Sequence, residues 1–262
     1  MPLQVNGVDV LVEGEGRESI VMIHGWPDTY RVWDAQAAFF RHRYRCVRFT
    51  LPGFDIDKPR RAVPLEEMID TLKAIVEQAC PGEKVILMLH DWGCAFGYQL
   101  AMRHPSLVSK IVGVDIGDAG TRQHLQSLTA KAKAMVLAYQ LWLAIAWRIG
   151  GRIGDWMTLW MARAARCPSD PRYIDSRMDY PYYIRWFKAH GSYRGMVRFE
   201  PPVPMLFLYG SRKPFLFHTP AWAEALAARP GNQVRAFETG HWIMSKQPRE
   251  FNEVVDAWLR AG

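Results

Sequence analysis

The chain has 262 residues, 49% of them apolar, enough for one large α/β domain with an insertion or for two small domains. Its net charge of +7 comes without any run of Lys and Arg interleaved with aromatics, so nothing points to a nucleic-acid partner. Four scattered cysteines (Cys46, Cys80, Cys94, Cys167), with no C-x-x-C and no nearby His pair, argue against a zinc site or a disulfide scaffold and for reduced thiols in a cytoplasmic protein.

Leu3–Val12 alternates around Asn6-Gly7 and predicts an edge β-hairpin. Met1–Val8 has neither a cationic nor an apolar leader region, so no secretory signal is expected. Ser19–His24 reads as a strand apolar on both faces, Tyr30–Arg41 as a helix and Tyr44–Thr50 as the next strand. Leu65–Ala79 carries Leu65, Met68, Ile69, Leu72, Ile75 and Val76 at helical spacing and is closed by Pro81-Gly82. In Lys84–Gly97 a strand, Val85–Leu89, leads to Asp91 at its tip, and a helix begins near Gly93 and runs to about His104. Val108–Asp115 is another strand, and the alternation implies right-handed βαβ crossovers and a largely parallel sheet.

From 117 to 200 that rhythm stops: the segment is helical, rich in Trp, Tyr, Met and Arg, and without strands. It reads as a cap inserted into a core made of 1–116 and 201–262. Ala134–Trp147 is strongly apolar but falls short of the ~18–20 residues of a membrane span, and Gln140 interrupts it. A buried cap helix is the expectation, with peripheral membrane contact left open. Val203–Tyr209, Pro220–Ala228, Gln233–Phe237 and Pro248–Leu259 then resume as strand, helix, strand and helix.

Ligands bind outside the carboxyl ends of strands in such sheets. Asp91, His24-Gly25-Trp26-Pro27, Asp115 and His241 all fall there. Asp91 is either a nucleophile on a sharp strand–helix turn or a mere helix cap. An Asp, a second Asp and a His at strand ends in this chain order match the order nucleophile, acid, base. With H-G-W-P-D, H-D-W-G and G-H-W in place, the sequence resembles the Asp-nucleophile branch of the α/β-hydrolases, which holds epoxide hydrolases and haloalkane and fluoroacetate dehalogenases. The resemblance covers nearly the whole chain and is weaker in the cap. It implies an α/β fold of the α/β-hydrolase type: a mostly parallel sheet flanked by helices, with a helical cap.

It also implies roles. Asp91 would form an alkyl-enzyme ester, His241 would activate a water against it, and the backbone N–H groups of Trp26 and Trp92 would hold the oxyanion. Many relatives keep the acid in the loop after the post-cap strand, but here Tyr209–Pro214 holds no carboxylate. A second arrangement in the family, that of the fluoroacetate dehalogenases, puts an Asp at the end of the strand after the nucleophile's helix, and Val114-Asp115-Ile116 resembles it, so the resemblance implies Asp115 as the acid, with Asp118 as fallback. Tyr139 and Tyr183 resemble the two cap tyrosines that donate to an opening epoxide, and Trp26, Trp92, Trp142 and Trp242 are the expected aromatic contacts of substrate. The reading is an epoxide hydrolase acting on a small apolar epoxide and water, as monomer or homodimer, without metal or organic cofactor. Its alternatives are a haloalkane dehalogenase, or a binding protein that uses the pocket without turnover.

Overall fold

Strands that are apolar on both faces need cover on both sides. The computed structural model describes residues 3–261; residues 1, 2 and 262, at the ends of the two expected core segments, lie outside it. Its strands are β1 (Leu3–Val5), β2 (Val8–Glu13), β3 (Ser19–Ile23), β4 (Arg45–Phe49), β5 (Val85–His90), β6 (Val108–Val114), β7 (Met205–Gly210) and β8 (Gln233–Phe237). They form one sheet in the order β1-β2-β4-β3-β5-β6-β7-β8. β1 pairs antiparallel with β2, and β2 with β4; all other pairs are parallel.

The helices are α1 (Asp34–Phe40), α2 (Leu65–Ala79), α3 (Trp92–Arg103), α4 (Arg122–Ser127), α5 (Ala130–Ile149), α6 (Gly151–Ala164), α7 (Tyr180–Phe187), α8 (Pro220–Ala227), α9 (Ile243–Lys246) and α10 (Pro248–Ala261). Alternation along the strands sorts side chains onto two layers. Val21, Ile23, Leu87, Leu89, Ile111 and Phe207 pack with α2 and α3; Ile20, Met22, Ile86, Met88, Val112 and Leu206 pack with α1 and α10. Each such fully buried side chain stabilises the fold by about 1.5–3 kcal/mol. The helix expected over 30–41 begins as a 3-10 turn, Tyr30–Trp33, because the Thr29 hydroxyl accepts from the Arg31 N–H and caps it early.

Helices α4 to α7 all lie between β6 and β7, and three contacts fasten them to loops at the carboxyl ends of the strands. The Trp26 indole donates to Asp179 at 2.6 Å, the Tyr180 hydroxyl to the Pro52 carbonyl at 3.0 Å, and Ser169 to Asp28. The sequence expectation of a buried helix over 134–147 needs correction. α5 packs one side against α6 and α7, while Met135, Leu137, Ile145 and Ile149 are exposed. Its apolar residues run around more of the helix than its neighbours can cover.

Candidate active site

Asp91 sits between β5 and α3 at φ 51°, ψ −120°, a conformation that costs a non-glycine residue roughly 1–3 kcal/mol unless its surroundings enforce it. Two glycines make the enforcement possible. A Cβ on Gly25 would lie 2.5 Å from the Asp91 Cβ and the Trp92 nitrogen, and one on Gly93 would lie 2.5 Å from the His24 carbonyl oxygen. The close approach lets the Trp26 N–H donate to Asp91 Oδ1 at 2.7 Å. Trp92 is the first residue of α3, so its N–H has no partner within the helix. Fully buried His24 steadies this corner: its Nε2 accepts the Leu51 N–H at 2.8 Å, so Nδ1 carries the proton and donates to the Gly25 carbonyl at 2.9 Å. Burial lowers its pKa to about 4 and keeps it neutral.

His241 enters from the loop after β8, with Nε2 3.5 Å from Asp91 Oδ2 and Nδ1 hydrogen-bonded to Asp115 Oδ2. Asp115 follows β6 at φ 73° and is fully buried. Its Oδ1 accepts the Gly210 N–H at 3.0 Å and is paired with Lys213. Burial would raise the Asp115 pKa, but the charges of Lys213 and His241 outweigh it and hold the carboxyl low. Burial would likewise lower His241, yet Asp115 and then Asp91 prevail and raise it to about 9. Asp118 takes no part in this cluster, because its two oxygens accept the N–H of Thr219 at 2.7 Å and its hydroxyl at 2.9 Å.

A second buried His–Asp pair stands behind His241. The His90 ring lies 4.5 Å from that of His241, and His90 Nδ1 is 3.6 Å from Asp28 Oδ2. The same Asp28 oxygen accepts the Trp242 indole N–H at 2.9 Å. Trp242, an expected substrate contact, is therefore a buried support with its polar edge turned away from Asp91. Trp142 is displaced from that expectation too: its indole donates to the Met157 carbonyl at 2.9 Å, and its ring packs on Trp156 and Trp160 at the outer side of α6.

An aromatic roof is built from Trp26 and Trp92, which flank the Asp91 corner, together with Tyr139 and Tyr182. The Tyr182 ring meets Trp26, Trp92 and Tyr139 edge-on at centroid distances of 6.0, 5.5 and 6.1 Å. Burial pushes Tyr139 up to about 12 and Tyr182 well above the usual phenol range, with the Asp91 charge adding to both. Tyr183 is not in this roof. Its ring stacks on Trp147 at 4.1 Å and Phe187 at 5.3 Å, on a different side of α7. Neighbours on a helix point about 100° apart, so a motif match off by one residue selects the wrong face. Burial could have corrected it: Tyr182 lines up with Asp179 one turn before it, on the inner face.

Sequence reasoning also passed over Asp179. This fully buried carboxyl accepts the Trp26 indole N–H on Oδ1, and Oδ2 meets the Thr158 hydroxyl, which also lies 3.0 Å from the Gly154 carbonyl oxygen. A hydroxyl both donates and accepts, so Thr158 can give its proton to either oxygen, and can take a hydrogen bond from Asp179 when that carboxyl is protonated. Burial raises the Asp179 pKa well above the usual range, in accord with a neutral acid. The four cysteines are free, and among the described residues no group of His, Cys, Asp or Glu is arranged to hold a metal ion. A surface depression of about 740 Å³, lined by Asn6, Tyr30, Pro52 and Lys58 among others, touches neither Asp91 nor His241.

Residues 20–254 match the family described as "Alpha/beta hydrolase family". A Mycobacterium tuberculosis protein named "Probable oxidoreductase EphD" is 28% identical over 126 residues, 46% of this chain but 21% of the relative; the match thus spans about a fifth of that protein's length. Human "Epoxide hydrolase 4" is 22% identical over 268 residues, covering 94% of this chain and 73% of the relative. Among solved structures, an epoxide hydrolase of Bacillus megaterium with an inhibitor superposes with a TM-score of 0.73 at 21% identity, over 99% of this chain and all of that one. A haloalkane dehalogenase variant of Bradyrhizobium elkanii gives 0.71 at 18% identity, over 100% and 96%. Likeness at these identities shows the fold alone.

Proposed function

The chain belongs to the alpha/beta hydrolase family, and within it we propose an epoxide hydrolase that adds water to a small apolar epoxide. The observation that carries the reading is a pair of tyrosines, partly buried Tyr139 and buried Tyr182, packed edge-on with each other, with Tyr182 also edge-on to Trp26 and Trp92, the residues beside a carboxylate whose Oδ2 faces His241. Asp91 Oδ2, the oxygen free of the Trp26 N–H, would attack an epoxide carbon. As the ring C–O bond breaks, a phenol gives its proton to the departing oxygen, leaving a hydroxyalkyl ester on Asp91 and a tyrosinate. The helical insertion (117–200) acts as a cap that carries these donors, over a core of 1–116 and 201–262.

Hydrolysis of the ester falls to the core. His241 Nε2 takes a proton from water as its oxygen bonds to the Asp91 carbonyl carbon, and Asp115 stabilises the imidazolium. Trp26 and Trp92 N–H groups hold the oxyanion on Oδ1. Collapse releases the diol alkoxide, which takes the proton from His241, and the Asp91 carboxyl returns the last proton to the tyrosinate. Esterification also removes the Asp91 charge, one of the two that raise His241, so the base works nearer neutral pH than about 9.

Halide displacement is less well supported. A halide needs ring N–H donors, and the Trp26 indole is already given to Asp179. Binding without turnover would suit a His241 left without a carboxylate partner, and Asp115 makes that contact, although the loop after β7 holds none. The deciding experiment is mass spectrometry of His241→Gln incubated with a panel of small epoxides, beside diol and halide assays on the unmodified protein. We expect an adduct of epoxide mass on Asp91, and diol from the unmodified chain. No adduct and no diol across the panel defeats the reading; halide release without diol moves it to the dehalogenases.

A further inference from the structure

The segment 117–200 holds thirteen Lys and Arg against six Asp and Glu, while the rest of the chain is balanced at twenty of each. The whole net charge of +7 therefore sits on the helical insertion. The same insertion exposes apolar side chains where a helix hairpin ordinarily shows polar ones. On α6, Ile153, Trp156 and Trp160 are 63, 57 and 49% exposed and share one face at i, i+3 and i+7. On α5, Ile145 and Ile149 stand one turn apart at 42 and 52% exposure, just before the Gly150-Gly151 turn into α6. Trp142 packs against both Trp156 and Trp160, joining the two helices' stripes.

Cations border this apolar face. Arg152 and Arg163 lie on the same side of α6 as Trp156 and Trp160, at spacings of i, i+4, i+8 and i+11. Arg148, Arg152, Arg163 and Arg166 are all exposed, and none is paired with a carboxylate among the described residues. Contiguous exposed apolar area of this kind marks a docking surface. A second copy of the chain is a poor occupant, because a two-fold contact would set one arginine border against the other. An anionic bilayer complements both features: indole and isoleucine side chains enter the headgroup boundary while guanidinium groups meet lipid phosphates and carboxylates. Among the described residues no helix is long and apolar enough to cross a membrane, so the contact is with the surface.

We propose that the outer face of α5 and α6, centred on Ile149, Ile153, Trp156 and Trp160 and bordered by Arg152 and Arg163, docks the protein on anionic lipid surfaces. The test is cosedimentation of the whole chain with phosphatidylcholine vesicles, with and without about a third phosphatidylserine, at low and high salt. Binding should be roughly tenfold or more stronger on the anionic vesicles and weaken with salt. Trp156→Ser/Trp160→Ser and Arg152→Glu/Arg163→Glu should each lower the partition at least about tenfold with melting midpoints held near the parent's. Failure to bind anionic vesicles, equal binding to neutral ones, or binding that survives both double variants overturns the proposal. Self-association in sedimentation velocity that Trp156→Ser/Trp160→Ser abolishes, without vesicle binding, would assign the face to a second copy. None of these readouts depends on which substrate the site turns over.

Discussion

The sheet and the helical insertion bury their residues by opposite logic. In β3, β5 and β7 nearly every side chain is covered, and the polar groups that matter stand at the strand tips, locked by backbone partners. In the insertion, contacts are largely between side chains: Trp26 with Asp179, Trp142 with the outer tryptophans, Tyr182 with the roof. The core is electrically balanced and the insertion holds the excess charge. The contrast assigns fixed chemistry to the sheet and adjustable chemistry to the helices above it.

Substitutions can break or sharpen that division. Asp115→Asn should cost most, on the order of 10³–10⁴ in turnover, because an amide cannot both fix the His241 tautomer and stabilise its cation; diol formation rates check it. In the insertion, Tyr182→Phe should lower epoxide turnover roughly 10–100-fold by removing a proton donor, whereas Tyr183→Phe should stay within about threefold. Equal losses from the two would mean that α7 is rotated from the position described.

Lys213→Met should move a pH profile rather than abolish activity. The cation beside Asp115 offsets the carboxylate's pull on His241; without it the His241 pKa climbs, in the ester as in the free protein, and less of the base is neutral at any given lower pH. The rise of ester hydrolysis with pH should shift to the alkaline side by roughly one unit, read from single-turnover decay of the ester. Asp179→Asn should have the smallest effect, within about 0.5 kcal/mol by thermal unfolding, since an amide can accept from Trp26 and donate to Thr158 as the neutral acid does. Asp179→Ala should cost about 1–3 kcal/mol by orphaning a buried indole N–H.

The sheet was legible because its strands are apolar runs with chemistry-bearing residues at their ends. Chain order suggested Asp91, an acid and His241 as a set, and the resemblance of Val114-Asp115-Ile116 to the family's second acid position, with no carboxylate in 209–214, pointed to Asp115. The insertion was less legible, for reasons of direction rather than composition. Tyr182 and Tyr183 are indistinguishable to a spacing rule, yet helical rotation separates them. Trp142 and Trp242 were misassigned because an indole turns toward the acceptor that claims its N–H, here Met157 and Asp28, which no local pattern reveals. Asp179 was invisible for the same reason: its partner Trp26 lies 153 residues away.

The strand order has one more consequence, for how heat silences the protein. Asp91 and Asp115 follow β5 and β6, adjacent strands in the middle of the sheet, but His241 follows β8 at its edge, where most strand residues are at least partly exposed. Edge strands open at lower free energy than central ones. Warming should therefore free His241 from Asp115 while the sheet is still intact, so that activity is lost below the melting midpoint and amide exchange quickens first in β8.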